Sequence, residues 1–344
     1  MVALDKVQQS IAQIAKTYPA GLVAVFAGAT AGIGETSLRE FARYTSKPRI
    51  YVVGRSQEAC DRLQADLTKV NPEGQYNFIR SDVSLLRNVD DVCKQIRDKE
   101  SAINVLFMSQ GTLNFSKQTE EGMSYLMSLT YFGRIRMAKN LMPLLQRGNG
   151  LRRVVSSFTG AKEGKVFDDD WQGKEGKVPF SAARGHASTM MTLGLEALAK
   201  EAPEVSFVHA FPGNVNTNII RSGDGAILRT MAFVSKALWF VTGSTPILEV
   251  GERHTFYCTS ARYPPKGPAD EPITAGVALP DGATVAQGVD GSVGGGVYSV
   301  DTYGASADTK VEELLASYRQ DGTAEKLWKY TESEWKRVTG TLSL

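Results

Sequence analysis

Short apolar runs alternate with longer stretches of helical period along most of the chain. The runs predict strands at 22–26, 49–53, 76–79, 103–107, 152–156, 205–210 and 296–300. The periodic stretches predict helices at 33–45, 56–70, 87–98, 119–146, 181–201 and 308–338, the last broken at Asp321-Gly322. Strands this apolar are buried on both faces, and their alternation with helices builds an α/β fold, a doubly wound parallel sheet with helices on either side and a C-terminal extension. Segment 262–296 is rich in Gly, Pro and Ala without clear period and reads as a long loop or insertion over the sheet edge. Residues 226–241, from Ala226-Ile227-Leu228 to Trp239-Phe240-Val241, are apolar on nearly all sides but short for a bilayer span. A lid at 219–245 over an apolar substrate, an ordinary buried helix and a membrane-surface patch are the readings open to this stretch. The expected organisation is a core over 1–261 that includes the lid, with 262–344 supplying the insertion, the last strand and C-terminal helices that pack on the same domain.

With 344 residues, 42% hydrophobic and 22% charged, the chain can bury a full core as one large domain with appendages. The net charge of +2 and the lack of a basic run argue against nucleic acid as a partner. Cys60, Cys93 and Cys258 are far apart and show no ligand spacing, so they read as buried thiols of a reducing compartment; neither disulfides nor a metal site are expected. Residues Val2 to Ile14, with Asp5 and Lys6, form a mixed amphipathic stretch without a leader's apolar core, and a cytoplasmic location is expected.

Candidate chemistry begins where the first strand ends. Gly28-Ala29-Thr30-Ala31-Gly32-Ile33-Gly34 directly follows Leu22-Val23-Ala24-Val25-Phe26, and Arg49-Ile50-Tyr51-Val52-Val53 closes a βαβ unit. A side chain at the glycines would obstruct the turn or hold the backbone away from phosphates, while the following helix offers free N–H groups and a positive dipole end. That order suits a dinucleotide pyrophosphate, and it points to a nicotinamide cofactor bound by Gly28, Thr30, Ala31, Gly32, Ile33 and Gly34. Arg55, followed by Ser56, stands at the end of the second strand, where an acidic residue would take ribose hydroxyls and a guanidinium can pair with a 2′-phosphate. NADP(H) is therefore expected; the alternative is a solvated surface arginine.

Several further motifs fall in a familiar order. Val53-Gly54-Arg55, Ser81-Asp82-Val83, Ser156-Ser157-Phe158-Thr159-Gly160, Pro212-Gly213-Asn214-Val215-Asn216-Thr217 and Leu327-Trp328-Lys329-Tyr330-Thr331-Glu332 follow the Gly turn. The chain resembles the short-chain dehydrogenase/reductase family, close to its retinol-dehydrogenase-like branch and the fungal biosynthetic members. The resemblance implies a Rossmann-type fold, an adenine site at Asp82 and Val83, cofactor contacts at Gln110 and Gly111, and a nicotinamide-side loop with Pro212, Gly213, Val215 and Thr217. It also implies pairing into a dimer or tetramer through the helices at 119–146 and 181–201, and with the apolar stretch at 226–241 the expected partner is a small apolar organic substrate. Asp82 is equally placed to cap the helix that starts near Ser84.

At the expected catalytic centre the sequence departs from the family. There a Ser polarises the carbonyl, a Tyr moves the proton, and a Lys four residues later lowers the tyrosine pKa. Ser157 matches the first role. One alignment sets Phe180-Ser181-Ala182-Ala183-Arg184 over the Tyr and Lys positions, and the other sets Arg184 and Ser188 there; neither supplies a phenol. Ala27 replaces the usual Thr, Met108-Ser109-Gln110-Gly111 replaces Asn-Asn-Ala-Gly, and Thr130 stands near the relay Asn, so the proton pathway as a whole is altered. Candidate substitutes are His186, with an imidazole suited to neutral pH, and the phenol of Tyr131. Arg184 is a candidate for cofactor oxygens or a substrate carbonyl. Each has a bland counterpart: a packed histidine, a core tyrosine, an exposed helix arginine, and for Ser157 a strand-end cap. His209 and His254 read as packed within apolar patterns. Three functions are compatible with this set. They are an NADPH-dependent reductase of a carbonyl or enone on a secondary-metabolite-like substrate, a redox-neutral cyclase, isomerase or dehydratase, and a non-catalytic NADP-binding protein.

Overall fold

The strands form one sheet in the order β3-β2-β1-β4-β5-β6-β7, every neighbouring pair parallel. They are β1 (Val23–Ala27), β2 (Arg49–Gly54), β3 (Gln75–Arg80), β4 (Val105–Met108), β5 (Arg153–Ser157), β6 (Ser206–Ala210) and β7 (Val297–Val300). A computed structural model describes residues 1–215, 244–267 and 275–344 of the chain. All residues of β1, β4, β5, β6 and β7 are buried, as helices on both faces require. This is a Rossmann-type doubly wound sheet, and the order reverses between β1 and β4. A crevice opens beyond the carboxyl ends of the strands at such a reversal.

The helices in chain order are α1 (Leu4–Ile11), α2 (Ile14–Thr17), α3 (Gly32–Tyr44), α4 (Gln57–Val70), α5 (Leu86–Arg97), α6 (Tyr125–Met127), α7 (Gly133–Leu145), α8 (Phe180–Glu201), α9 (Ile247–Thr259), α10 (Thr309–Gln320) and α11 (Thr323–Thr339). On one face Leu38 and Phe41 of α3 meet Phe256 and Tyr257 of α9 and Val7 of α1 over Phe26 and Phe107. On the other, Val89 and Ile96 of α5, Ile135 and Leu141 of α7, Met190 and Leu195 of α8, and Trp335 of α11 close over Leu106 and Val154. Local chemistry sets the ends. Ser56 accepts from Ala59 N at 3.2 Å to start α4, Asp308 accepts from Val311 N at 3.1 Å to start α10, and Gly322 at φ +81° separates α10 from α11 at the expected break.

Two expectations change. The helix expected over 119–146 starts later: Thr119 N–H donates to Met123 O at 2.8 Å around Gly122, at φ +72°. Only from Tyr125 does it run on, through a π-helical turn at Ser128–Phe132 into α7. Helix α9 was not foreseen, because Val250 to Thr259 are all buried and no polar face marks the period. The described part of 262–296 follows the sheet edge, with Ala286 N–H donating to Arg262 O at 2.8 Å and Val289 N–H to Val297 O at 2.9 Å. The stretch 226–241 and the lid expected at 219–245 lie outside the described residues, apart from Ser244 and Thr245. All three cysteines are free and buried. Among the described residues no helix is long and apolar enough to cross a membrane, and no group of His, Cys, Asp and Glu is placed to hold a metal ion.

Candidate active site

The crevice between β1 and β4 is a cleft of about 370 Å³ lined by Gly28, Thr30–Gly34, Val53–Arg55, Ser81–Val83, Ser109–Gly111, Leu129 and Ile247. Its floor is backbone. Gly28 has φ +78°, and a Cβ there would stand 2.4 Å from Gln110 N. A Cβ on Gly34 would stand 2.4 Å from Ser109 Oγ and 2.5 Å from Gly28 O. The turn therefore lies against the end of β4 with no room for a side chain, and the first N–H groups of α3 have no intrahelical acceptor. Such a cradle fits a pyrophosphate at the helix N-terminus.

At one end Arg55, 37% exposed, donates to Tyr125 Oη at 2.9 Å and lies 3.8 Å from Asp82 Oδ2. Asp82 Oδ1 accepts from Ser84 N at 3.1 Å, so its carboxylate both shapes the turn into α5 and faces the guanidinium. At the other end, the side-chain amide of Gln110 is buried with neither its oxygen nor its nitrogen bonded among the described residues. It has hydrogen-bonding capacity left for a bound group.

Beyond Gly111 lie groups from β5, α7 and α8. Ser157, at the carboxyl end of β5, has a buried hydroxyl without a partner among the described residues. Arg134, the second residue of α7, is completely buried; Nη1 donates to Ser156 Oγ (2.8 Å), Ser157 O (2.9 Å) and Met108 O (3.2 Å), and Nη2 donates to Gln110 O. Burial pulls its pKa down to about 9, so it is charged at neutral pH. Ser188 Oγ donates to Thr159 O at 2.6 Å. His209 Nε2 accepts from Thr159 N at 3.2 Å, which leaves Nδ1 to face Thr192 Oγ1 at 2.8 Å and Glu163 Oε1 at 3.6 Å. Although burial pushes the Glu163 carboxyl up, the bonds from His209, Ser299 and Thr192 outweigh it and hold the group below its usual value.

The structure gathers most of the expected cofactor residues and disperses the expected proton donors. Gly28, Thr30, Ala31, Gly32, Ile33, Gly34, Arg55, Asp82, Val83, Gln110 and Gly111 line the cleft. Ser56 caps α4 instead, Gly213 lines a separate hollow of about 240 Å³ beside Thr245 and Thr302, Val215 is buried, and Thr217 lies outside the described residues. Tyr131 is turned into the core, its hydroxyl 2.8 Å from Thr331 Oγ1 of α11, and burial raises its pKa. His186 is buried with both nitrogens engaged, Nδ1 by Phe167 N at 3.2 Å and Nε2 by Trp171 O at 3.1 Å; burial lowers its pKa against the opposing carbonyl. Arg184 is exposed, and Thr130 bonds its own helix through Leu126 O at 2.7 Å. The sequence reading missed Arg134, one of the polar residues in a mostly apolar run from Leu126 to Leu145 whose only signal is its position a turn after Thr130.

The sequence model of the short chain dehydrogenase family matches residues 22–224. The chain is 36% identical over 341 residues to oxidoreductase AN1596 of Emericella nidulans, covering 97% of this chain and 98% of that protein. It is 36% identical over 321 residues to oxidoreductase andH of Emericella variicolor, covering 93% of each. Among solved structures, an alcohol dehydrogenase of the archaeon Thermococcus sibiricus complexed with 5-hydroxy-NADP superposes with a TM-score of 0.52 at 19% identity, over 68% of this chain and 88% of that one. The chain belongs to the short-chain dehydrogenase family, and its full-length relatives are fungal oxidoreductases.

Proposed function

We propose that the protein is an NADP(H)-dependent reductase of a carbonyl or enone on an apolar, secondary-metabolite-like substrate. The observation that carries this is Ser157: a buried, unpartnered hydroxyl at the carboxyl end of β5, beyond a cleft whose glycine floor suits a dinucleotide. Arg55 supports the phosphorylated cofactor, since its guanidinium lines the cleft, hydrogen-bonded to the neutral Tyr125 Oη with the Asp82 carboxylate 3.8 Å away. Reduced NADP supplies the hydride when bound. Ser157 Oγ–H donates to the substrate oxygen as negative charge develops there, and Arg134 fixes the Ser157 and Gln110 carbonyls that define this end of the cleft. With the nitrogens of His186 and the hydroxyl of Tyr131 committed elsewhere, water delivers the proton. The test is oxidation of NADPH, followed optically, with carbonyl and enone substrates; a product two hydrogens heavier is expected, and a product of unchanged mass with cofactor still reduced refutes it.

One observation favours a second reading. The positions aligned with the family's acid carry an exposed phenyl ring, Phe180, or an exposed guanidinium, Arg184. A redox-neutral cyclase, isomerase or dehydratase polarising its substrate through Ser157 needs no phenol, and the product mass separates it from the reductase.

A further inference from the structure

Arg134 is a buried cation held only by neutral groups. Its guanidinium binds three carbonyl oxygens and one hydroxyl, Nε has no partner among the described residues, and the guanidinium carbon stands 5.5 Å from the centroid of Phe158. His209 stacks on Phe158, and Oε1 of the Glu163 carboxylate is taken up by Thr192, Ser299 and His209. Arg153, also buried on carbonyls, differs: it bonds Tyr257 O at 2.7 Å and Ser260 O at 3.2 Å, at the carboxyl end of α9, where the helix dipole opposes its charge. Arg134 has strand ends instead, which carry little net dipole.

The place of this charge along the cleft gives it a consequence. A dinucleotide with its pyrophosphate on the N-terminus of α3 and its 2′-phosphate at Arg55 extends its other end toward Gly111 and Ser157. Gly111 lines the cleft, and Arg134 Nη2 is 3.8 Å from the point where a Cβ on Gly111 would stand, so the guanidinium lies directly behind that end of the cleft. The oxidised nicotinamide ring is a cation and the reduced ring is neutral. Like charges in a poorly solvated site repel strongly, whereas the neutral ring escapes this cost.

Resting on the reading of the cleft as an NADP(H) site, we infer that Arg134 makes the site selective for the reduced cofactor and expels the oxidised one. Hydride transfer takes two electrons and one proton from the reduced ring to the carbonyl carbon, and the carbonyl oxygen then takes a proton from water. Bound NADPH becomes a weaker hydride donor by the same repulsion. The gain is that NADP⁺ leaves readily and does not block the next NADPH.

The experiment titrates the full chain with NADPH and with NADP⁺ at neutral pH by calorimetry, for the wild type, Arg134→Lys and Arg134→Gln. The wild type is expected to bind NADPH about tenfold or more tightly than NADP⁺. Arg134→Lys should keep that preference, and Arg134→Gln should bring the ratio near one, chiefly by tightening NADP⁺. Arg134→Met takes the place of the Gln variant if thermal melting shows that variant unfolded. Equal wild-type affinities overturn this inference alone, as does a neutral variant that keeps the wild-type ratio. Binding of neither form overturns the cofactor reading and this inference with it.

Discussion

The glycine turn between β1 and α3 lines the cleft, the cluster around Ser157 lies beyond its Gly111 end, and the two are built by opposite means. At the turn, backbone forms the surface: Gly28 and Gly34 have no space for a Cβ, and the helix presents its own N–H groups. Around Ser157, side chains matter, and nearly all of them are already spent on backbone. Arg134 holds Met108, Gln110 and Ser157, and Ser188 holds Thr159. Among the described residues, the hydroxyls of Ser157 and Thr159 and the amide of Gln110 are exceptions. A polar residue type near an active site is therefore weak evidence of catalysis until its hydrogen bonds are counted, whereas a glycine under positive φ against a neighbouring strand has few other uses.

The sharpest break in this contrast is Gly28→Ala. Its Cβ would meet the Gln110 backbone at 2.4 Å under φ +78°, so NADPH affinity should fall at least about 100-fold and stability by about 2–4 kcal/mol, read by calorimetry and urea unfolding. Retained NADPH binding would show that the turn is not the cradle. At the other end Ser157→Ala should lower kcat by about 10²–10³-fold while leaving NADPH affinity unchanged; an unaltered kcat removes Ser157 from the site.

Acid should weaken the layer behind the turn. Burial holds His254 of α9 at a pKa of about 4, below the ordinary histidine value. The unfolded chain then binds the extra proton between pH ~6.5 and that value, so stability is full above ~6.5 and falls by about 3 kcal/mol as pH drops to the folded value. His186 is shifted in the same direction and adds to the loss. Urea unfolding at successive pH values should show His254→Gln less acid-sensitive than the wild type, and parallel curves would assign the effect elsewhere.

Arg55→Gln removes one charge-assisted contact and should cut the preference for NADPH over NADH by about tenfold, with NADH affinity little changed. An unchanged preference would leave Arg55 as a partner of Tyr125 and Asp82 only. The smallest effect on catalysis is expected from His186→Phe: stability should fall by about 1–3 kcal/mol as Phe167 N and Trp171 O lose their partner, with kcat within about threefold of wild type. A far larger loss of kcat in folded protein would restore the imidazole as proton donor.

Much of this architecture is legible in the sequence. The seven strands, the break at Asp321-Gly322 and the cleft residues from Gly28 to Gly34 follow from period and glycine placement, which are local properties of the chain. Helix α9 escaped notice because burial on every side erases amphipathic period, and the start of the helix after Gly122 depended on a turn that periodicity does not register.

The sequence by itself determined the βα alternation, the glycine cradle and the absence of a phenol at the aligned acid positions, because each depends on residue type at a fixed spacing. Tertiary structure decided which polar side chains remain free. It sent Tyr131 to Thr331, engaged both nitrogens of His186, and buried Arg134 against the ends of β4 and β5. Those outcomes depend on partners up to 200 residues away and on which face of a helix meets the sheet. Hydrogen-bond competition between such distant groups is a property of the packed molecule, and no local pattern carries it.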